Sequence, residues 1–288
     1  MPLLEPDVGQ GKAGPLSGLV VADFSRVLAG PYLTMLLGDL GADVIKVERP
    51  DGGDDARHWG PPWDPEGRST YFLSVNRNKR SLVLDLGAEA ERAVARKLVA
   101  HADLVVENFR PGTMERLGLG YEEVSRGHPH LIYCSISGFG AGEGRSLPGY
   151  DLLVQAVGGL MSVTGPAPDS PTKAGVALVD VLTGLHGAVA VLAALRERQR
   201  SGIGQLVSLN LLSTLLSSLV NQAASVLLAG VVPEPMGNRH PSVAPYELLE
   251  TMDRPLALAV GNDRQFRELC SVLERDQLAD DPRFATNP

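Results

Sequence analysis

The chain has 288 residues, 44% apolar and 21% charged, enough to build a large core and too apolar for an intrinsically disordered protein. Its 34 acidic and 26 basic side chains leave a formal charge of −8, which argues against a nucleic-acid surface or a polybasic membrane anchor. Two cysteines, Cys134 and Cys270, supply neither a disulfide framework nor a thiolate metal site, and point to a reducing, cytoplasmic setting.

Residues 1–15 carry an early acid and no apolar run, so they read as a flexible lead-in and not as a signal peptide. "GLVVADF" (18–24) then predicts a strand, "GPYLTMLLGDLGA" has helical spacing, and "DVIKVE" (43–48) predicts a second strand. Strand, helix and strand in so short a span form a βαβ unit, which requires a parallel sheet. "RSLVLDL" (80–86) continues as a strand and "AEAERAVARKLVAHA" (88–102) as an amphipathic helix. "DLVVENF" (103–109) and "LIYCSISGFG" (131–140) are further strands, and 151–161 reads as helical. A long helix is predicted over "VLTGLHGAVAVLAALRERQRSG", with basic residues in its last turn and Gly202 to stop it.

The apolar run from Leu209 to Val232 is interrupted by Ser, Thr, Asn221 and Gln222, which suits a buried helix over 209–228 better than a membrane span. "VVPEPMGNRHPSVAP" follows as a natural boundary, and "LALAVG" with "DRQFRELCSVLE" predicts a strand–helix pair in a smaller domain. The expected organisation is α/β: a large domain over 16–210, a linker helix over 211–236 and a small domain over 237–288.

Several site classes are excluded by their missing patterns. The first strand–helix turn, "SRVLAGPY", lacks G-x-G-x-x-G, so Glu48 is a poor candidate for a ribose-binding acid and a nicotinamide enzyme is disfavoured. No H-E-x-x-H ligand set and no G-x-S-x-G elbow occur, and no metal is expected. Arg49, Asn108, Phe109, Arg110 and Arg116 fall just beyond strand ends, where open α/β sheets bind ligands. Each arginine alone reads first as a solvated loop charge; together they suggest an anion site. Asp180, inside the apolar stretch "GVALVDVLTG", has two readings that local residues leave open. One is an N-cap of the long helix, the other a nucleophile kept ionised by the helix start, and the two are compatible.

Six segments in order resemble the family III CoA-transferases: "LSGLVVADFSRVLAGPYLTMLLGDLGADVIKVERP", "NRNKRSLVLDL", "ADLVVENFRPGTMERLGLGYE", "YDLLVQAVGGLMSVTG", "GVALVDVLTGLHGAVAVLAAL" and "GNRHPSVAPYE". The resemblance implies a Rossmann-like CoA-binding large domain, a small α/β domain and two interlocked copies of the chain. It implies Asp180 as the catalytic aspartate, with acyl-CoA and a small carboxylic acid as substrates and no permanently bound cofactor. Coenzyme A contacts would fall on Val27, Leu28 and Ala29, on Arg49 and Leu84, on Asn108, Phe109, Thr113 and Arg116, and on Ser137 and Phe139. Members continue past the "DPRF" motif, so the small domain is expected to be incomplete here. Two alternatives accompany this reading. The related α-methylacyl-CoA racemases carry "GHD" where this chain has "GYD", with Tyr150 in place of the base and Glu250 near their glutamate; tyrosine, with a pKa near ~10, is a poor base at neutral pH. A non-catalytic CoA-binding fragment is the other.

Overall fold

Six strands interleaved with helices form one parallel sheet in the computed structural model, which describes residues 14–284 and 286. Most of the expected lead-in lies outside the described residues. In chain order the sheet unit contains β1 (Val20–Asp23), α1 (Ala29–Asp39), β2 (Asp43–Glu48), α2 (Thr70–Val75), β3 (Lys79–Val83), α3 (Glu89–His101) and β4 (Leu104–Glu107). It continues with α4 (Thr113–Arg116), α5 (Tyr121–Gly127), β5 (Ile132–Ser137), α6 (Asp151–Val157), α7 (Leu178–Ser201), β6 (Leu206–Asn210) and α8 (Leu211–Ser218).

The strand order is β3-β2-β1-β4-β5-β6, with Val21 of β1 set between Val44 and Leu104. β1, β4 and β5 are almost wholly buried, which is why they read as continuous apolar runs without alternation. Winding reverses between β1 and β4, and that switch point opens a crevice at their carboxyl ends. One sheet face is covered by α3 and α5 through Ala95, Val99 and Val124, packed with Ala22, Val105 and Tyr133. α1 and α7 lie together on the other.

α7 begins at Leu178, three residues before the predicted start, so Asp180 is its third residue and Ala177 is the N-cap. The cap reading of Asp180 is therefore wrong: position three already has helical backbone and its side chain does not close the helix. By length and composition α7 would cross a membrane, but Val179, Thr183, Ala188, Val191 and Leu195 are buried, as in a core helix. It approaches α1 closely through Gly184, where an added Cβ would stand 2.9 Å from the Ala29 carbonyl oxygen and 2.9 Å from the Tyr32 ring. This close packing sets the start of α7 beside the start of α1.

The single helix expected over 209–228 is instead the end of β6, then α8, then α9 (Val220–Ala229), with a break at Val220, which has a φ of 35°. Residues 159–174 and 219 onward form a second compact unit, so 159–174 group apart from the 16–210 span and α8 belongs with the sheet. That unit holds α9, an antiparallel pair β7 (Tyr246–Leu249) and β8 (Leu256–Ala259), and α10 (Asp263–Val272), capped by the Asn262 side chain. Cys134 and Cys270 are both buried free thiols.

Gly184→Val should overpack the α1–α7 contact and cost about 2 kcal/mol, seen as a fall of roughly 4–8 °C in Tm. Gly175→Val, at a position with no heavy atom within 4 Å of the new Cβ, should leave Tm unchanged within ~1 °C in the same calorimetry.

Candidate functional site

A cavity of about 210 Å³ occupies the crevice, lined by the turns after β1, β4 and β5 and by the start of α7. Val27, Leu28, Ala29, Asn108, Phe109, Ser137, Phe139, Tyr150 and Asp180 all reach it. A second cavity of about 230 Å³ contains Arg49 and Leu84 and shares Arg26 and Phe109 with the first. Nine of the eleven positions proposed for coenzyme A thus line two cavities joined by common residues. Thr113 and Arg116 line neither; on α4 the Arg116 guanidinium donates to Thr113 Oγ1 at 3.0 Å.

The turn after β1 is held by side chains from other strands. Asn108 accepts from the Arg26 N–H at 2.8 Å and donates to the Arg26 carbonyl at 2.7 Å, so its amide positions the loop. Val27 has a left-handed φ of 69°, an outlier for a β-branched residue, and its N–H points at both carboxylate oxygens of Asp54 at 3.2 and 3.3 Å. Asp54 also accepts from the Ala56 N–H at 3.0 Å and from Lys46 Nζ at 2.9 Å, with both side chains buried. Lys46 donates in turn to the Ser25 carbonyl at 2.7 Å. Behind this pair, Asp23 accepts from Ser25 and Thr34 and faces Lys79 at 3.3 Å. Nearby Lys79 and Lys46, with those hydroxyl bonds, hold the Asp23 carboxyl below its ordinary value even though burial opposes it, and burial pulls the Lys79 ammonium down to about 8.

Glu48 is fully engaged by Arg57 at 2.6 and 2.7 Å, Ser81 at 2.7 Å and the Asp54 N–H at 3.0 Å, and its carboxyl falls to about 2 despite burial. It has no oxygen to spare for a ribose, in line with the missing glycine motif. At the cavity rim, Asp55 bridges Arg49 at 2.6 Å and Arg26 at 3.6 Å, and the Arg26 guanidinium lies 4.7 Å from the Phe109 ring centre. Arg110 and Arg145 also line the cavity and form no ion pair among the described residues.

The α7 start is capped by Asp151 of α6, whose Oδ2 accepts from the Val179 N–H at 2.8 Å and the Asp180 N–H at 3.2 Å. This leaves the Asp180 carboxylate without a hydrogen bond or ion pair among the described residues, directed to the cavity it lines. Burial, reinforced by the negative charge of Asp151, raises its pKa from 3.8 to about 7. The expectation that the helix start keeps Asp180 firmly ionised is overturned: Asp151 takes the N–H groups and adds its own charge. Tyr71, which packs against the same Leu28–Met35–Val75 cluster as Ala177 and Val181, is pushed up to about 12 by burial and by Asp180, Asp151 and Asp54.

Ser137 Oγ closes its own turn, accepting from the Gly140 N–H at 3.1 Å. Tyr150 is 61% exposed at the start of α6, and Glu250 is exposed after β7 in the second unit. Sequence reasoning missed Lys46, Asp54 and Asp151. A lysine among the apolar residues of "DVIKVE", a largely buried strand, was the available signal for Lys46; Asp54 sits in the loop after β2 and Asp151 meets Asp180 across 29 residues, and neither gave one.

The sequence signature described as CoA-transferase family III matches residues 16–288. The chain belongs to CoA-transferase family III. A succinate–glutarate CoA-transferase of Agrobacterium fabrum is 48% identical over 279 residues, covering 95% of this chain and 70% of its own length. The human succinyl-CoA:glutarate CoA-transferase is 41% identical over 283 residues, covering 98% of this chain and 64% of its own. The chain therefore spans about two thirds of the curated relatives it matches. A crystal structure of a CaiB/BaiF family protein from Brucella suis superposes with a TM-score of 0.85 at 46% identity, over 96% of this chain and 74% of that one. The family III assignment accounts for the Rossmann-order sheet without a dinucleotide turn.

The raised Asp180 pKa has a stability consequence. Its folded pKa lies above the unfolded value near 3.8, so the folded state holds the proton between those values. The contribution is full below pH 3.8 and is lost as pH rises through about 7. Asp180→Asn, which never ionises, should gain on the parent protein by a few (~2–3) kcal/mol between pH 5 and pH 8 in urea unfolding. An unchanged difference across that range would place Asp180 in a well-solvated setting.

Proposed function

We propose that the protein moves coenzyme A from an acyl-CoA to a free carboxylic acid, with Asp180 as the nucleophile. The single observation that carries this reading is an unpartnered, largely buried carboxylate lining a cavity together with Val27, Ala29, Asn108 and Phe109. The named relatives support a succinyl-CoA donor and a dicarboxylic acid such as glutarate as acceptor.

The Asp180 carboxylate attacks the thioester carbonyl, the carbon–sulfur bond breaks, and CoA thiolate leaves an aspartyl–acyl anhydride. The thiolate then attacks the aspartyl carbonyl and expels the first acid as its carboxylate, giving an aspartyl-CoA thioester. The second carboxylate attacks that thioester and frees the thiolate, which next attacks the new acyl carbonyl. The product acyl-CoA leaves and Asp180 is a carboxylate again. Each step exchanges one anion for another, so no general acid is needed, and a serine nucleophile would carry the acyl group instead of CoA.

The cavity suits these steps. Two adjoining pockets with Arg26 and Arg49 at their rims match an elongated anionic ligand, and α1 starts at the first pocket with no capping side chain and no acid in its first turn. A carboxylate with a pKa near 7 is a stronger nucleophile than one near 4 while still half-ionised at neutral pH. Tyr150, in the position of the racemase base, lies open to solvent, so the histidine that would exchange a proton at the α-carbon has no counterpart at that position. The reading extends to a second copy of the chain as partner and to a reducing compartment, in which Cys134 and Cys270 stay thiols.

Succinyl-CoA followed by hydroxylamine should modify the Asp180 peptide, detected by mass spectrometry, and labelled glutarate should appear as glutaryl-CoA. The rate of peptide modification should rise about tenfold per pH unit below pH 6 and level above pH ~8, following the ionised fraction. Coenzyme A affinity without modification would indicate a binding protein; deuterium entering 2-methylacyl-CoA from solvent would indicate a racemase.

A further inference from the structure

We propose that Asp54 is a positioning residue for this site, holding Val27 in its left-handed conformation and so setting the wall on which the acyl-CoA lies. The inference rests on the reading of the cavity as a CoA site. Asp54 lines neither cavity; it acts through the loop.

A valine at a φ of 69° is strained and persists only where the surroundings over-determine it. Here they do. The Ser25 N–H bonds to Asp23 and its carbonyl to Lys46, both polar groups of Arg26 bond to Asn108, and the Val27 N–H bonds to Asp54. Of these partners, only Asp54 acts at the strained residue itself. Its oxygens are all committed to donors: the Val27 and Ala56 N–H groups and the Lys46 ammonium. An asparagine there has one oxygen and turns an NH₂ group toward at least one of those donors.

The consequence reaches the reacting group. Val27 is followed by Leu28, which packs with Met35 and Val75, and the same cluster includes Tyr71, Ala177 and Val181 on both sides of Asp180. Were Val27 to relax to negative φ, the Val27–Leu28 peptide would rotate, and Leu28 and Ala29 would leave the cavity wall.

The test uses the full chain. In Asp54→Asn, hydrogen exchange across 25–29 should quicken about tenfold, the equivalent of ~1.4 kcal/mol, while β2 keeps its protection. Free CoA should bind about tenfold more weakly by calorimetry, and KM for succinyl-CoA should rise with kcat within ~threefold, since Asp180 is untouched. Val27→Gly added to Asp54→Asn should restore CoA affinity to within ~threefold of the parent, because glycine takes positive φ unaided. A merely structural role predicts no such rescue. Unchanged exchange and affinity in Asp54→Asn, or failure of the glycine rescue, overturns the proposal. If Asp54→Asn alone does not fold, a folded double variant supports it and an unfolded one overturns it. A parent protein protected at 25–29 but without CoA affinity overturns the CoA reading while leaving the clamp itself supported.

Discussion

The Lys46–Asp54 pair is the constraint around which the site is arranged. Two opposite charges lie 2.9 Å apart with both side chains buried, at the carboxyl edge of a sheet whose central strands are mostly apolar. Desolvating them is expensive, and the attraction between them compensates only where the remaining donors and acceptors are satisfied. They are satisfied here by the Ser25 carbonyl and the Val27 and Ala56 N–H groups, so the charges are bound into the backbone they support. Glu48, through the Asp54 N–H, joins Arg57 and Ser81 to the same assembly. An apolar pair of the same volume would pack well but offer nothing to the polar backbone of a turn that enters a cavity.

The electrostatics around Asp180 follow from a different division of labour. A helix start ordinarily stabilises a nearby carboxylate through its free N–H groups and dipole. In α7 the Val179 and Asp180 N–H groups are both taken by one oxygen of Asp151. Asp180 then faces the cavity with burial and a like charge both favouring its proton. The sheet places it there by ordinary packing: glycine at 184 lets α7 lie against α1, and α1 starts where the strained turn ends. Scaffold and chemistry meet at three chain segments that are distant in sequence.

Much of the fold was legible because parallel sheets mark their strands plainly. "DVIKVE" was predicted over the residues it occupies, and α3 within one residue at each end, since buried runs and amphipathic periods are local signals. Errors came where neighbours in space decide the ending. β3 starts and stops early because only Lys79 to Val83 can pair with β2 at the sheet edge. The sequence reads 209–228 as one helix, yet its first two residues end β6 and pair with β5, and the remainder breaks at Val220, which no hydropathy pattern records. At the site, Asn108 and Ser137 are expected as ligand contacts, and the structure adds that both line the cavity while their side chains hold backbone turns.

By itself the sequence determined the α/β class, the family, and the identity of the one carboxylate set in an apolar helix start, because residue order and hydrophobic period are properties of the chain alone. Tertiary structure decided the protonation of that carboxylate and the shape of the turn beside it. Both depend on burial and on partners tens of residues away: Asp151 for Asp180, and Asp54 with Lys46 for Val27. A charge has its chemistry set by the distance to other charges and to water, and only the folded chain has those distances.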